Sequence, residues 1–331
     1  PNSIGLYYSA MTARLGLRPL DEEYILMGMA AYGEPKYVKD LEEKFGAHTD
    51  SLLFKENTHI GIDDSFLEGA DEFDIAASAQ AYVEKLIKIV MSKARKLNTS
   101  NNLVYGGGVA LNCSANRFLG TYFENIWIMP NPGDAGNSLG AAALAYGKKL
   151  NWKTAFLGTD IIGVYPVTET LKALKKDKIV GIASGRAEFG PRALGTRSLL
   201  ADPRGSKIKS EVNKIKKRQQ FRPFAPMILE ELVDDYFEMP VHWNNSPYMQ
   251  VTAPCKHPKK FPAIVHKDGT SRVQTVPDDG TGIRRLLEAW YEETGCPILL
   301  NTSLNVRGEP MVNDRSDADR FEKLYKTRVI S

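Results

Sequence analysis

The feature that most limits what this chain can fold into is an apolar run followed at once by a stretch rich in arginine and glycine. Residues 179–183 (IVGIA) have the length and composition of a buried strand. The stretch after it, GRAEFGPRALGTRSLLADPR (residues 185–204), contains four arginines, one glutamate and three glycines. Arginine grips phosphate or carboxylate at two points, and glycine lets backbone amides approach such an anion closely. The sequence therefore predicts an anion site directly after a strand.

The alternative for this stretch is a solvated turn whose charges point into water. Such a turn would account for one or two arginines. It does not account for Arg186, Arg192 and Arg197 separated by two glycines and a proline. The anion site is therefore the preferred interpretation.

Length and composition limit the architecture and the partners. A chain of 331 residues is long enough for two domains of ordinary size. Its 43% hydrophobic and 25% charged residues are typical of a globular protein, and no apolar run is long enough to cross a bilayer, so we expect a cytoplasmic protein without a membrane partner. The net charge of +3 is too small to indicate nucleic acid as a partner. Three cysteines without a CxxC pair predict neither disulfides nor a zinc site.

Hydrophobic periodicity predicts several elements. We expect a helix over residues 73–97, with an apolar stripe that packs on a core, and further helices over residues 168–174 and 283–294. Residues 34–70 are polar and lack periodicity, which predicts surface insertions. Glycines and a proline between residues 157 and 167 place a domain boundary near residue 160.

Two glycine turns follow short predicted strands in the first half of the chain. Residues 102–105 lead into GGGVALN (106–112), and residues 126–129 lead into NPGDAGNSLGAAALAYG (131–147). A strand, a glycine loop and a helix N-terminus form a phosphate or ribose cradle, although a tight turn required by packing is equally compatible with three glycines. Asp134, in the second turn, is a candidate for a helix cap or for a ligand of a divalent metal.

The stretch SKIKSEVNKIKKRQQFRPFAP (206–226) predicts a helix with an apolar edge and outward lysines. Its charges suit a solvated face, and RNA binding is a second option. The exposed aromatic residues that would stack on bases between the charges are missing from the sequence, which argues against RNA.

Polar residues lie on or next to two predicted strands in the last third of the chain. Arg272 and Gln274 follow an Asp-Gly turn signal and would share one face of a strand. In NTSLNVRGEP (301–310), Asn301, Ser303 and Asn305 lie at a strand end, where open sheets place ligand contacts.

Two of these strings resemble a known family. EFGPRALGTRS (188–198) followed by FRPFAP (221–226) is similar to the signature of the O-carbamoyltransferases, which include the nodulation enzyme of the NodU type and the enzymes that carbamoylate tobramycin and cephalosporins. The resemblance continues in order along nearly the whole chain, through GGGVALN, GDAGNSLGAA, NSPYM (245–249) and HKDGTSRVQTV (266–276). One departure is Gln219, where the family has glutamate, which puts an acid/base role at that position in doubt.

The resemblance implies an α/β fold in two parts. Residues 1–160 would be the C-terminal part of an actin-like (ASKHA) ATPase domain, and residues 161–331 a YrdC-like α/β domain. The chain would then be a fragment that lacks the N-terminal part. The implied activity is O-carbamoyl transfer: carbamoyl phosphate and ATP, with Mg²⁺, form carbamoyladenylate in the YrdC-like domain, and the carbamoyl group passes to a small-molecule hydroxyl acceptor at the actin-like domain.

The resemblance also implies roles for the candidate residues. The predicted catalytic residues are Arg186, Glu188, Arg192, Arg197, Lys216, Arg218 and Arg272, with Glu188 ordering the arginines rather than reacting. The predicted substrate and nucleotide ligands are Gly106, Gly107, Gly108, Asn112, Gln274, Asn301, Ser303 and Asn305.

A divalent metal, expected to be Fe²⁺, would bind Asp134 in the actin-like part. In the family, two histidines of an HxxxH helix begin this metal site, and the histidines of this chain (48, 59, 242, 257 and 266) do not form that pattern. The other ligands are therefore expected upstream, and the second step is expected to fail in the fragment.

Two other functions are kept as alternatives. One is a related enzyme of tRNA threonylcarbamoylation or hydrogenase maturation, although the latter places its YrdC-like part first and adds zinc-finger cysteines. The other is a non-catalytic nucleotide- or RNA-binding module. The sequence does not distinguish a sugar, an antibiotic or a nucleoside as acceptor, and a homodimer is kept open.

Overall fold

The computed structural model describes residues 2–46 and 53–331. His48, one of the histidines considered above, lies outside the described residues. The chain divides into two compact units: the first extends to Trp127 and includes Pro240–Trp243, and the second comprises Ile128–Met239 and Asn244–Ser331. The domain boundary predicted near residue 160 stays a prediction. Within the described ranges, no helix combines the length and the apolar character needed to cross a bilayer.

The first unit is mainly helical. Its helices are α1 (Ile4–Arg14), α2 (Glu23–Met29), α3 (Val38–Phe45), α4 (Glu72–Leu97) and α5 (Cys113–Asn116), and its strands β1 (Asn102–Val104) and β2 (Asn125–Trp127) pair in parallel. The long helix α4 confirms the prediction over residues 73–97. It begins at Asp71, whose carboxylate accepts from the amides of Phe73 and Asp74.

One prediction for the first unit is wrong in part. Residues 34–70 were expected to be irregular insertions, but they contain α3, an eight-residue helix that ends at Gly46 in the left-handed conformation. Leu41 and Phe45, four positions apart, are buried, and the Phe45 ring lies 4.8 Å from the Tyr7 ring. Val38, Leu41 and Phe45 follow helical spacing, but a segment of two turns is too short for this period to stand out from its polar surroundings, so the sequence pattern did not reveal the helix.

The second unit contains the larger sheet. Its helices are α6 (Asn137–Tyr146), α7 (Val167–Asp177), α8 (Ile208–Ile215), α9 (Val233–Tyr236), α10 (Gly282–Thr294) and α11 (Arg315–Tyr325). Its strands are β3 (Phe156–Ile161), β4 (Ile179–Ala183), β5 (Gly185–Glu188), β6 (Arg197–Ala201), β7 (Ala225–Leu229), β8 (Val251–Pro254), β9 (Thr270–Val276), β10 (Ile298–Ser303) and β11 (Val329–Ile330). The strand predicted over 179–183 and the helices predicted over 168–174 and 283–294 are confirmed.

Seven of these strands form one mixed sheet in the order β11-β4-β6-β10-β7-β9-β8. The pairs β11–β4 and β7–β9 are parallel, and the other four pairs are antiparallel. Strands β3 and β5 form a separate antiparallel pair. The coarse prediction of an α/β fold is therefore confirmed.

Both faces of the seven-stranded sheet are buried. Leu174 of α7 and Leu286 and Trp290 of α10 belong to the core cluster on one face. Val212 of α8 and Phe321 of α11 belong to the cluster on the other. Burial on both faces explains why β4, β7 and the first three residues of β10 have continuous apolar sequences rather than alternating ones.

Candidate functional site

Several predicted site residues of the second unit lie on strands that meet at one edge of the seven-stranded sheet. Arg197 begins β6 and lies opposite Ala183, which ends β4. The next residue of β6, Ser198, lies opposite Ser303, which ends β10. Three strands thus bring their ends together at this edge.

Two more strands begin at the same edge. Asn301 of β10 lies opposite Ala225, the first residue of β7. Strand β9 runs parallel to β7 with Gln274 beside Met227, so Arg272 is level with Ala225. The arginine-rich stretch, the FRPFAP segment and the two polar strand segments therefore converge at this edge, and their predicted ligand contacts stay a prediction.

Lys216 is the most constrained cation of this edge. It follows the last residue of α8, and its Nζ donates to the carbonyl oxygen of Ser303 at 2.6 Å, to Ser303 Oγ at 3.3 Å, to the carbonyl oxygen of Asn305 at 3.4 Å and to Asn305 Oδ1. All four acceptors are uncharged. Burial, with the nearby charges of Arg218 and Arg222, lowers the pKa of Lys216 to about 7.

Two arginines lie close enough to act on Lys216. Arg218 Nε donates to Asn213 Oδ1 at 2.7 Å, its Nη2 donates to the Pro223 carbonyl at 3.2 Å, and its guanidinium lies 4.2 Å from the centre of the Phe224 ring. Arg222, inside FRPFAP, also lowers the pKa of Lys216 through its charge. Arg222 was not among the predicted site residues, although its place in the family string was a sequence signal for it.

Glu188 organises the loop between β5 and β6. We call residues 189–196 (FGPRALGT) the arginine loop, because Arg192 is its only ionisable residue. Glu188 Oε1 accepts from the backbone amides of Leu194 at 2.8 Å, Thr196 at 3.0 Å and Arg197 at 3.1 Å. The side chain is buried, which agrees with the expected ordering role.

Asn301 and Gln274 also contact the arginine loop. Asn301 Nδ2 donates to the Ala193 carbonyl at 2.9 Å and to Gln274 Oε1 at 2.7 Å, and Gln274 Nε2 donates to the Leu194 carbonyl at 2.9 Å. Both side chains are buried. Their predicted role as substrate ligands stays a prediction, and three of their four amide hydrogens bond within the protein.

Arg197 is fully buried and bonds to backbone. Its Nη1 donates to the carbonyls of Ser184 and Thr196, and its Nη2 to those of Thr159 and Asn313, at distances between 2.9 and 3.3 Å. Burial lowers the pKa of Arg197, although Glu188 and other carboxylates act in the opposite direction. Its predicted catalytic role remains untested.

The other predicted arginines are more accessible. Arg186 is exposed on β5 opposite Asp160, and Arg192 and Arg272 are half-buried. Arg272 Nε is buried and has no hydrogen-bond partner among the described residues. Because both side chains are only half-buried, Arg192 and Arg272 are accessible enough to contact an anion.

The glycine turn of the first unit is open. Gly106, Gly107 and Gly108 are exposed, Gly107 has a φ of 96°, and a Cβ atom on Gly107 or Gly108 would meet no atom within 4 Å. Asn112 behaves differently: its Oδ1 accepts from the Ala115 amide at 3.0 Å, and its side-chain amide exchanges two hydrogen bonds with Gln80. The glycines leave space for a ligand, whereas Asn112 is buried and bonded internally.

Asp134 is exposed and begins a 3₁₀ turn, Asp134–Gly136, before α6. The side chain does not cap α6. In residues 2–46 and 53–331, no group of three His, Cys, Asp or Glu side chains is arranged to hold a metal ion. Its role as a metal ligand stays a prediction, and the described residues do not complete a metal site around it.

Comparison with known proteins identifies the family. The model described as "Carbamoyltransferase N-terminus" matches residues 1–143, and the model described as "Carbamoyltransferase C-terminus" matches residues 171–330. The chain therefore belongs to the carbamoyltransferase family, and the resemblance drawn from the sequence strings is confirmed.

Individual relatives cover most of this chain. The uncharacterized protein sll1178 of Synechocystis sp. is 35% identical over 97% of the chain, which spans 64% of that protein. Nodulation protein NolNO of Sinorhizobium fredii is 32% identical over 96% of the chain, which spans 53% of that protein. The solved structure of full-length HypF in the phosphate- and nucleotide-bound form matches with a TM-score of 0.35 and 24% identity, over 50% of this chain and 20% of that one. The chain thus spans between about half and two thirds of the length of the two curated relatives, NolNO and sll1178.

Proposed function

We propose that this chain takes part in O-carbamoyl transfer through carbamoyladenylate. In the first step, carbamoyl phosphate, ATP and water give carbamoyladenylate, pyrophosphate and phosphate at the sheet edge of the second unit, with Mg²⁺ bound to ATP. In the second step, the oxygen of an acceptor hydroxyl attacks the carbamoyl carbon, and AMP leaves. The arrangement is that of a YrdC-like domain after part of an actin-like domain, in a cytoplasmic protein.

The observation that carries the proposal is the buried cation at the sheet edge. Lys216 is held by uncharged oxygens of the segment from Ser303 to Asn305, and two guanidinium groups act on it from the same segment of chain. Burying an ammonium group beside two other cations is unfavourable unless an anion joins them. Carbamoyl phosphate and the ATP phosphates are anions of the required kind.

Arg192 and Arg272 complete this anion site in the proposal. Both are half-buried: Arg192 lies in the arginine loop before β6, and Arg272 lies near the start of β9. Fixed guanidinium groups would bind the phosphate oxygens of both substrates and stabilise the charge that moves between them. Ser303, whose hydroxyl already contacts Lys216, is close enough to orient the carbamoyl amide.

The second step needs groups that the described residues supply only in part. The exposed glycines 106–108 suit the approach of a phosphate or ribose. A divalent metal, proposed as Fe²⁺, would polarise the acceptor hydroxyl, with Asp134 as one ligand. Because the described residues offer no complete donor set, we derive no step through the metal.

The test is detection of carbamoyladenylate by mass spectrometry after mixing the protein with ATP, Mg²⁺ and carbamoyl phosphate. We expect formation by the wild type, loss of at least tenfold in Arg192→Ala, and no change in Lys207→Ala, which removes an exposed lysine of the same basic region. If neither this chain nor a longer protein that also contains the remaining length of its relatives forms the adenylate, the proposed function is wrong.

A further inference from the structure

Four buried or half-buried side chains from separate elements hold the arginine loop. Glu188 accepts from the amides of Leu194 and Thr196 in the loop and of Arg197, which begins β6. The three carbonyls of Ala193, Leu194 and Gly195 are each bonded by a different side chain: Asn301, Gln274 and Tyr165. We call Glu188, Tyr165, Gln274 and Asn301 the loop clamp.

The loop clamp spans long distances in sequence. Tyr165 Oη donates to the Gly195 carbonyl at 2.9 Å from 30 residues away, and the partners Gln274 and Asn301 are 80 and 108 residues from theirs. The Asn301 and Gln274 amides also bond to each other at 2.7 Å. Hydrogen bonds to a carboxylate such as Glu188 are stronger than neutral ones, and buried networks of this kind rigidify the backbone they hold.

The loop backbone is suited to a single conformation. Gly190 and Gly195 have φ values of 143° and 120°, which residues with a side chain rarely adopt. A Cβ on Gly190 would approach the Pro130 carbonyl oxygen to 2.3 Å. The clamped residues 193–197 follow Arg192 directly, so the clamp sets where the Arg192 backbone lies.

We infer that the loop clamp fixes Arg192 in the position in which it binds the phosphorylated substrate, and that Gln274 and Asn301 are positioning residues that act through Arg192. This inference rests on the proposed function. It replaces direct substrate contact by these two amides, because three of their four amide hydrogens are already bonded to the loop or to each other.

The experiment uses Asn301→Asp and Gln274→Glu, which keep the side-chain shape and place an acceptor where a donor faced a carbonyl. Asn244→Asp makes the same chemical change at an exposed position, and Leu287→Ala destabilises the core of α10 without touching the loop. Hydrogen exchange of the Leu194, Thr196 and Arg197 amides is measured in each variant, together with the KM and kcat for carbamoyl phosphate in adenylate formation.

We expect the loop amides to exchange at least tenfold faster in both clamp variants. In Leu287→Ala, exchange of the loop amides should rise only as much as that of amides elsewhere in the protein. KM for carbamoyl phosphate should rise about tenfold while kcat changes less than about threefold, the pattern of lost substrate binding. In an Arg192→Ala background, Asn301→Asp should raise KM no further, because both changes remove the same interaction between Arg192 and the substrate.

Three results would overturn the inference. Unchanged loop exchange would show that the clamp does not hold the loop. Faster exchange with unchanged KM would show that loop order does not position Arg192, and additive effects of Asn301→Asp and Arg192→Ala would show that Asn301 acts independently. If neither this chain nor the longer protein forms the adenylate, the proposed function fails. Binding of inorganic phosphate by the same variants then tests the loop clamp in place of KM.

Discussion

At the scale of single residues, Lys216 is both buried and hydrogen-bonded, and these two features shift its pKa in opposite directions. The carbonyl and amide oxygens around Nζ favour the ammonium form, whereas burial and two neighbouring arginines disfavour it, and the second effect dominates. A cation with a pKa near neutrality changes its charge easily when an anion arrives.

Binding of carbamoyl phosphate is therefore predicted to take up protons. The free protein holds Lys216 with a pKa of about 7, so most of it is neutral at pH 8, and a bound phosphate raises that pKa again. Calorimetric titrations at pH 8 in buffers of different ionisation enthalpy should show proton uptake of several tenths of a proton per site. Lys216→Met should lose this uptake and bind at least tenfold more weakly, and equal uptake in both proteins would contradict the assignment.

The same pKa shift predicts how Lys216 affects stability. The unfolded chain keeps the proton up to its ordinary pKa near 10.5, whereas the folded protein releases it near 7. Between these values the unfolded state binds more protons, so the stability of the wild type relative to Lys216→Met should rise with pH, by up to a few kcal/mol. Urea unfolding of both proteins at pH 6, 8 and 10 measures the difference, and a fall with pH would refute it.

Arg197 is expected to matter mainly for stability. Its two terminal nitrogens bond to four carbonyls from four segments, a pattern that the single ammonium group of lysine cannot reproduce. Arg197→Lys should lower the free energy of unfolding by about 2–4 kcal/mol, because buried acceptors lose their donors. Arg186→Lys, on the exposed β5 position, should change it by less than about 0.5 kcal/mol. Equal losses in urea unfolding would contradict this distinction.

At the scale of elements, the lysines of α8 distinguish the two interpretations of residues 206–226, a solvated face and an RNA-binding surface. Ile208 and Val212 are buried, whereas Lys207 and Lys214 are exposed. The double variant Lys207→Gln/Lys214→Gln should keep carbamoyladenylate formation within about twofold, because these charges lie outside the proposed anion site. Loss of salt-dependent RNA retention without loss of adenylate formation would identify a separate binding surface, and RNA retention without any adenylate formation would favour the binding-module alternative.

Local patterns predicted elements well and contacts less well. The strand 179–183 and the helix of residues 72–97 follow from hydrophobic runs and periodicity, which depend on neighbours in sequence. The resemblance implied a role for Lys216, and the strand-end position singled out Ser303. The structure places the two in contact. The direction of Asn301 and Gln274 toward the arginine loop was not predictable, because it depends on strand register between segments 80 to 108 residues apart.

At the scale of the whole molecule, each unit contains a carboxylate whose pKa the fold lowers. In the first unit, the backbone amide of Glu34 and the ammonium of Lys36 bond to Asp74 and lower its pKa. In the second, Arg284 forms two hydrogen bonds to Glu231, at 2.8 and 2.7 Å, and lowers the pKa of that carboxyl. The contacts of Asp74 join α4 to a neighbouring segment of the first unit, and those of Arg284 join α10 to a neighbouring segment of the second.

Acid should therefore weaken both units. A carboxylate with a lowered folded pKa stabilises the protein above its ordinary pKa of about 4, and this contribution is lost as pH falls through the folded value. Urea midpoints should fall between pH 5 and pH 3, and Asp74→Asn and Glu231→Gln should each be less stable than the wild type at pH 7 and respond less to acid. Glu292→Gln, at an exposed position of α10, should behave like the wild type. If the two variants lose as much stability on acidification as the wild type does, these carboxylates are not the groups that couple the fold to pH.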